Sequence, residues 1–171
     1  MKVAVLGAGS WGTALAKVLA ENDHEVYLWG RNASQIQQIN DTKINQKYLP
    51  DTVLPESIMA TTDMTVALHE ARMILIVVPT SAIRQTMENL NDLLANESQP
   101  IIVHATKGLE QETKLRISEV MEEVLKPELY EALAVLSGPS HAEEVARQDI
   151  TTVTVASHSL TAAQIVQDVF M

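Results

Sequence analysis

The opening stretch of the chain restricts the possible folds more than any other part. Lys2–Leu6 (KVAVL) is a short apolar run of the kind a buried strand needs, and Gly7-Ala8-Gly9-Ser10-Trp11-Gly12 breaks it. Thr13–Asn22 (TALAKVLAEN) then places Leu15, Val18 and Leu19 on one helical face, and Glu25–Trp29 (EVYLW) reads as a second strand. A strand, a glycine turn, a helix and a strand within about 30 residues match the length of a parallel crossover. The glycines have separable purposes in such a unit. Gly7 permits the tight turn, Gly9 lets the backbone approach a pyrophosphate, and Gly12 lets helix and strand pack closely. The helix start then directs its free N–H groups and positive dipole end at the anion. The spacing alone is a weak signal; its place between a strand and a helix is what points to a dinucleotide.

The alternation continues along the chain. Ser34–Asn40 reads as a helix, Lys43–Pro55 as a loop, Ile58–Ala60 as a weak short strand and Met64–Glu70 as a helix. Met73–Val78 (MILIVV) is the strongest strand pattern, stopped by Pro79, and Ser81–Ala95 follows as a helix. Pro100–His104, Ala134–Leu136 and Thr151–Ala156 read as further strands. Thr113–Leu125, Ser140–Gln148 and Thr161–Met171 read as helices, the last capped by Thr161. Strands that alternate with helices imply an α/β fold, and continuous apolar strands imply helices on both faces. Right-handed crossovers then give a doubly wound, mainly parallel sheet of the Rossmann type. No internal linker is visible, so residues 1–171 read as one nucleotide-binding domain. The chain stops inside a helical pattern with no stop signal, which fits either the front part of a longer protein or a genuine C-terminal helix.

Composition narrows the partners. The 171 residues hold 12 Lys and Arg against 22 Asp and Glu, a formal charge of −10, which argues against nucleic acid but leaves room for a small phosphorylated ligand. An apolar fraction of 46% suffices for a real core. The absence of cysteine removes disulfides, thiolate metal sites and cysteine nucleophiles, and fits a cytoplasmic protein. No run approaches the roughly 20 apolar residues of a membrane span, and no signal peptide is evident.

Four further stretches carry candidate chemistry. A fold selective for NAD places a carboxylate after the second strand, to hold the ribose 2′-hydroxyl. This chain has Trp29-Gly30-Arg31-Asn32 there, and Arg31 suits a 2′-phosphate, so NADP is favoured over NAD. Pro79 either lines the same cleft or simply ends its strand. Lys107, in His104-Ala105-Thr106-Lys107-Gly108, reads either as a surface lysine or as an ammonium serving a phosphate or carbonyl oxygen. His104 reads as a packed or hydrogen-bonded core residue. In Ser137-Gly138-Pro139-Ser140-His141-Ala142-Glu143-Glu144, Ser140 with Glu143 fits a capping box, and the alternative is a loop whose N–H groups and Ser140 hydroxyl meet substrate. His141 and its neighbouring glutamates lack metal-site spacing, so no metal is expected.

In order along the chain, GAGSWGTALA, LWGR, NQKYLP, IVVPT, TKGLE and SGPSHAEEV resemble the N-terminal nucleotide-binding domain of bacterial NAD(P)-dependent glycerol-3-phosphate dehydrogenases. The resemblance implies cofactor contacts at Gly7, Gly9, Ser10, Trp11, Gly12, Arg31, Tyr48, Lys107 and Ala142. It implies substrate contacts at Lys107, Gly138 and Ser140. The implied reaction is reversible hydride transfer between NAD(P)H and dihydroxyacetone phosphate, giving sn-glycerol 3-phosphate for phospholipid synthesis, with a homodimer for the full-length protein. The family's proton-transferring lysine belongs to a C-terminal helical domain that would begin past Met171. No catalytic residue is therefore expected here, and the fragment should bind cofactor with little or no turnover. Two other readings are a related dehydrogenase of another hydroxy acid or sugar, against which TKGLE and SGPSHAEEV argue, and a module that senses NADP redox state without catalysis.

Overall fold

A computed structural model describes residues 1–171. Nine strands and seven helices follow one another: β1 (Lys2–Leu6), α1 (Ser10–Glu21), β2 (Glu25–Trp29), α2 (Ala33–Thr42), β3 (Ile44–Asn45), β4 (Leu49–Val53), β5 (Met59–Thr61), α3 (Met64–Leu68), β6 (Met73–Ile76), α4 (Ile83–Leu93), β7 (Ile101–His104), α5 (Ile117–Val124), β8 (Ala132–Ser137), α6 (Ala142–Ala146), β9 (Thr154–Ser157) and α7 (Leu160–Val169). Seven strands form one sheet in the order β5-β2-β1-β6-β7-β8-β9. The pairings from β5 through to β8 are parallel, and β9 closes the far edge antiparallel to β8. The strand order reverses between β1 and β6, which opens a crevice at their carboxyl ends.

The period-two alternation of side chains divides the core into two layers. Val3 and Val5 of β1 pack with Leu15 and Leu19 of α1, Ile36 and Ile39 of α2, and Val166 of α7. Ala4 and Leu6 face the other way, with Ile74 and Ile76 of β6, Leu68 of α3, Met87 and Leu90 of α4, and Met121 of α5. All residues of β6 and β7 are buried, which is why these strands read as unbroken apolar runs in the sequence. The doubly wound architecture is the one expected. No helix is long and apolar enough to cross a membrane.

Local departures from the sequence reading have physical causes. The stretch 43–55 is a hairpin of β3 and β4 set outside the main sheet. Its strands are too short for a clear alternation, and Pro50 is tolerated because a two-stranded ribbon has free edges. Helix α5 begins at Ile117 instead of Thr113, because Lys114 adopts φ 63 and the Glu110 N–H bonds the Leu115 carbonyl across a turn. The capping box at Ser140 does not form. The residue before α6 is His141, without a side-chain cap, and the Ser140 hydroxyl instead donates to the Gly138 carbonyl at 3.5 Å. Helix α7 is capped by Ser159, whose hydroxyl accepts from the Ala162 N–H, and not by Thr161.

Candidate functional site

A cleft of about 1110 Å³ opens at the carboxyl ends of the central strands. Five segments wall it: the glycine loop, Trp29–Asn32 after β2, Val77–Ala82 after β6, Ala105–Lys107 after β7, and Ser140–Glu143 ahead of α6. Lys47 and Tyr48 of the hairpin, Gln35 of α2 and Gln85, Thr86 and Asn89 of α4 complete the rim. Parallel strands all point their C-termini the same way, so the turns that follow them collect at one end of the sheet. Pro79, which sequence reasoning left open, lies on the wall.

The glycine loop is built from close approaches. Gly7 sits at φ 130, and a Cβ there would lie 2.4 Å from the Val77 carbonyl oxygen. A Cβ on Gly12 would lie 1.9 Å from the Gly7 carbonyl oxygen, so this glycine lets α1 start directly against the turn. Gly9 differs. Its backbone is extended, at φ −79 and ψ −175, and a Cβ built on it meets nothing within 4 Å. Neither backbone strain nor internal packing requires glycine at this position.

Side-chain amides and a hydroxyl hold the carbonyls of the loop, one amide being that of Gln35 on the cleft wall. Ala8 O accepts from Gln35 Nε2 at 2.6 Å and from Asn45 Nδ2 at 3.0 Å. Asn45 also donates to Thr13 Oγ1 at 2.8 Å and accepts from Gln35 Nε2 at 3.2 Å. The Thr13 hydroxyl donates in turn to Gly9 O at 2.7 Å. Sequence reasoning missed Thr13, Gln35 and Asn45, since isolated polar residues in a helix or loop carry no periodic signal.

Charge in the cleft runs opposite to charge on the chain. Arg31, Lys47 and Lys107 line it against a single carboxylate, Glu143, although the protein as a whole carries −10. Arg84, Arg116 and Arg147 are committed to ion pairs; Arg31 is exposed and forms none. Lys47 was not anticipated from the sequence; its Nζ lies 4.9 Å from the Tyr48 ring centroid. Trp11 lies on the wall with its buried Nε1 unpartnered.

Lys107 is exposed and donates from Nζ to the Gly138 carbonyl at 3.1 Å, which links the loop after β7 to the loop after β8. Gly138 itself is not on the cleft wall, but a Cβ there would lie 2.7 Å from the Thr152 carbonyl oxygen, so the residue fits closely against the segment leading into β9. Ser140 and the buried Ala142 line the cleft. The loop bearing Lys107 is anchored by Glu110, whose carboxylate takes two bonds from Arg84, at 3.0 and 2.9 Å, and a third from the Thr113 hydroxyl at 2.5 Å. These bonds hold the Glu110 carboxyl below its ordinary value. His104, beneath this loop, is a packed core residue whose ring nitrogens are buried, and burial pushes its pKa down against a weaker opposing effect of the Thr106 backbone. No group of three or more His, Asp or Glu side chains converges to hold a metal ion.

One pH effect follows from the neighbouring helix. The guanidinium and backbone N–H of Arg116 hold Glu119 down to about 2, against an ordinary value of 4.5. A carboxylate lowered on folding adds stability above the unfolded value and loses it as pH falls through the folded one. Denaturant titrations are therefore expected to show stability declining from about pH 4.5 to about 2, with a shallower decline in Glu119→Gln. An unchanged slope in that variant would contradict the assignment.

The family described as NAD-dependent glycerol-3-phosphate dehydrogenase N-terminus matches residues 2–163. The chain belongs to this family. Within the glycerol-3-phosphate dehydrogenases it is 55% identical over 170 residues to the NAD(P)+ enzyme of Enterococcus faecalis, covering 99% of this chain and 49% of that relative. Its identity to the Lactiplantibacillus plantarum enzyme is 51%, over 99% of this chain and 51% of the relative. The chain spans about half the length of the curated relatives it matches. The crystal structure of glycerol-3-phosphate dehydrogenase from Coxiella burnetii superposes with a TM-score of 0.89 at 34% identity, over 99% of this chain and 50% of that one.

Proposed function

We propose that this member of the glycerol-3-phosphate dehydrogenase family is the dinucleotide-binding half of an enzyme that interconverts dihydroxyacetone phosphate and sn-glycerol 3-phosphate. We propose further that its cleft prefers NADPH to NADH. The observation that carries the cofactor reading is Gly9, whose missing side chain matters to nothing inside the protein and leaves a flat backbone facing the cleft. A pyrophosphate needs that close approach. The cationic wall supports the same reading.

In this proposal the N–H groups of Gly9 and Ser10 receive the pyrophosphate at the start of α1. Arg31 pairs with the 2′-phosphate, since Trp29-Gly30-Arg31-Asn32 offers no carboxylate to repel it or to claim a 2′-hydroxyl. Tyr48 and Ala142 flank the bound dinucleotide. Lys107 and Ser140 reach the substrate phosphate or carbonyl oxygen, with Gly138 setting the position of the Lys107 ammonium through their 3.1 Å bond. The bound nicotinamide supplies or accepts hydride. Ketone reduction also needs a proton donor at the oxygen. We assign that donor to the half of the relatives outside the match, so residues 1–171 alone are expected to bind cofactor with little or no turnover.

Titration of this chain with NADPH and NADH tests the reading. Both tryptophans, Trp11 and Trp29, line the cleft, so their emission reports occupancy, with calorimetry as the check. Saturable binding is expected, tighter for NADPH. Arg31→Asp is expected to weaken NADPH by at least about tenfold, the scale of one charge-assisted contact, while changing NADH little. Equal loss for both cofactors would remove Arg31 from the 2′-phosphate.

A further inference from the structure

We propose that Asn45 and Gln35 are positioning residues that aim the Gly9 and Ser10 N–H groups at the pyrophosphate; this rests on the dinucleotide reading of the cleft. The argument starts from peptide planarity. In a trans peptide the C=O and the following N–H point to opposite sides of the chain, and no peptide bond here is cis. The Ala8 carbonyl shares its plane with the Gly9 N–H, and that carbonyl is fixed by two amide donors, Gln35 Nε2 and Asn45 Nδ2. The Gly9 N–H is thereby turned away from the clamp. The Gly9 carbonyl shares its plane with the Ser10 N–H, and it accepts from both the hydroxyl and the N–H of Thr13. Asn45 supports that bond too, by donating to Thr13 Oγ1. Two successive donors are therefore oriented by one buried amide and its partners.

The topology explains why the clamp is more than ordinary packing. Asn45 is fully buried, at 0% exposure, and comes from the β3–β4 hairpin, which pairs with no strand of the main sheet. Each of its side-chain bonds goes to the glycine loop, to Thr13, or to Gln35, which itself holds the loop. A buried amide bonded through both donors and its acceptor has one orientation only. Without it the Ala8 carbonyl keeps only the Gln35 donor, and the peptide between Ala8 and Gly9 is held less firmly, with no side chain on Gly9 to restrict it.

The test compares ligands that do and do not touch the loop. NADPH and inorganic pyrophosphate require the Gly9 and Ser10 N–H groups; adenosine 2′-monophosphate requires only the Arg31 side of the cleft. Asn45→Ala is expected to weaken NADPH at least tenfold and to abolish the pyrophosphate-induced NMR shifts of the Gly9 and Ser10 amides. Its affinity for adenosine 2′-monophosphate is expected to stay within about twofold of the parent. Gln35→Met, on the partly exposed face of α2, serves where Asn45→Ala does not fold, and a severalfold loss confined to NADPH and pyrophosphate is expected. A folded variant that binds NADPH and pyrophosphate like the parent overturns the proposal, and so does equal weakening of all three ligands. If pyrophosphate shifts the two amides in the parent and not in the variants, while NADPH fails to bind either, the proposal stands and the nicotinamide reading falls. If neither NADPH nor pyrophosphate touches the parent, both fall.

Discussion

Gly12→Ala is expected to cost the fold about 3 kcal/mol or more, the upper end of what overpacking a close contact costs. The added methyl would stand 1.9 Å from the carbonyl oxygen of Gly7, a backbone atom with no rotamer to escape into. Relief requires α1 to lift from β1, and α1 carries Leu15 and Leu19 into the larger core layer. Disturbance at this contact therefore spreads into hydrophobic packing and does not stay in the loop. Urea unfolding should show a lower midpoint with an unchanged slope, since the surface exposed on unfolding stays the same. Dinucleotide binding should be lost as a consequence. A Gly12→Ala protein as stable as the parent would mean that the turn and helix are not in contact as described.

Gly9→Ala is expected to give the opposite pattern: a nearly unchanged fold and a loss of NADPH binding of about a hundredfold or more, which corresponds to about 2.7 kcal/mol. Alanine adopts φ −79 and ψ −175 without strain, and its methyl meets no atom of the protein within 4 Å. Two small terms act on stability. Alanine is a poorer residue than glycine ahead of a helix, and it restricts the unfolded chain; together they leave the change within about 1 kcal/mol. The methyl instead occupies the space a pyrophosphate needs, at the two N–H groups that would hold it. Measured side by side, melting curves and NADPH titrations should separate the variants cleanly: one loses the fold and binding with it, the other loses binding alone. If Gly9→Ala binds NADPH like the parent, the close approach proposed for the phosphates is wrong.

The parts of this molecule that could be read from its sequence are those with a repeating signal. MILIVV announces a strand buried on both faces, which ends at Ile76 with Val77 and Val78 already in the turn, and KVAVL before Gly7 announces the first crossover, because burial on a sheet writes itself as consecutive apolar letters. The positions that wall the cleft followed, since turns after parallel strands must gather at one end. Arg31, Lys107 and Ser140 lie there; Tyr48 and Ala142, which only the family resemblance pointed to, line the cleft as well. What escaped had no period. The β3–β4 hairpin offers two residues and five, with a proline inside, and Asn45 is a single polar letter whose importance depends on a partner 37 residues earlier. Ser140 with Glu143 has the spacing of a capping box, yet the helix starts one residue later than that box requires, after His141. Glu110 likewise looked like the tail of TKGLE. Its function as the anchor of the Lys107 loop appears only when Arg84 of α4 is brought beside it.

The opposition between a strongly acidic chain and a cleft carrying Arg31, Lys47 and Lys107 bears on how fast a ligand arrives as well as how well it stays. At distance, a polyanion meets the field of the whole molecule and is repelled; only within about a Debye length, roughly 10 Å at 0.1 M salt, do the three local cations take over. Added electrolyte therefore acts on the two halves of the encounter in opposite senses, easing the approach and loosening the grip. A net charge of −10 on these residues weakens non-specific attraction of extended polyanions, whereas a small anion inside the cleft meets the three cations at close range.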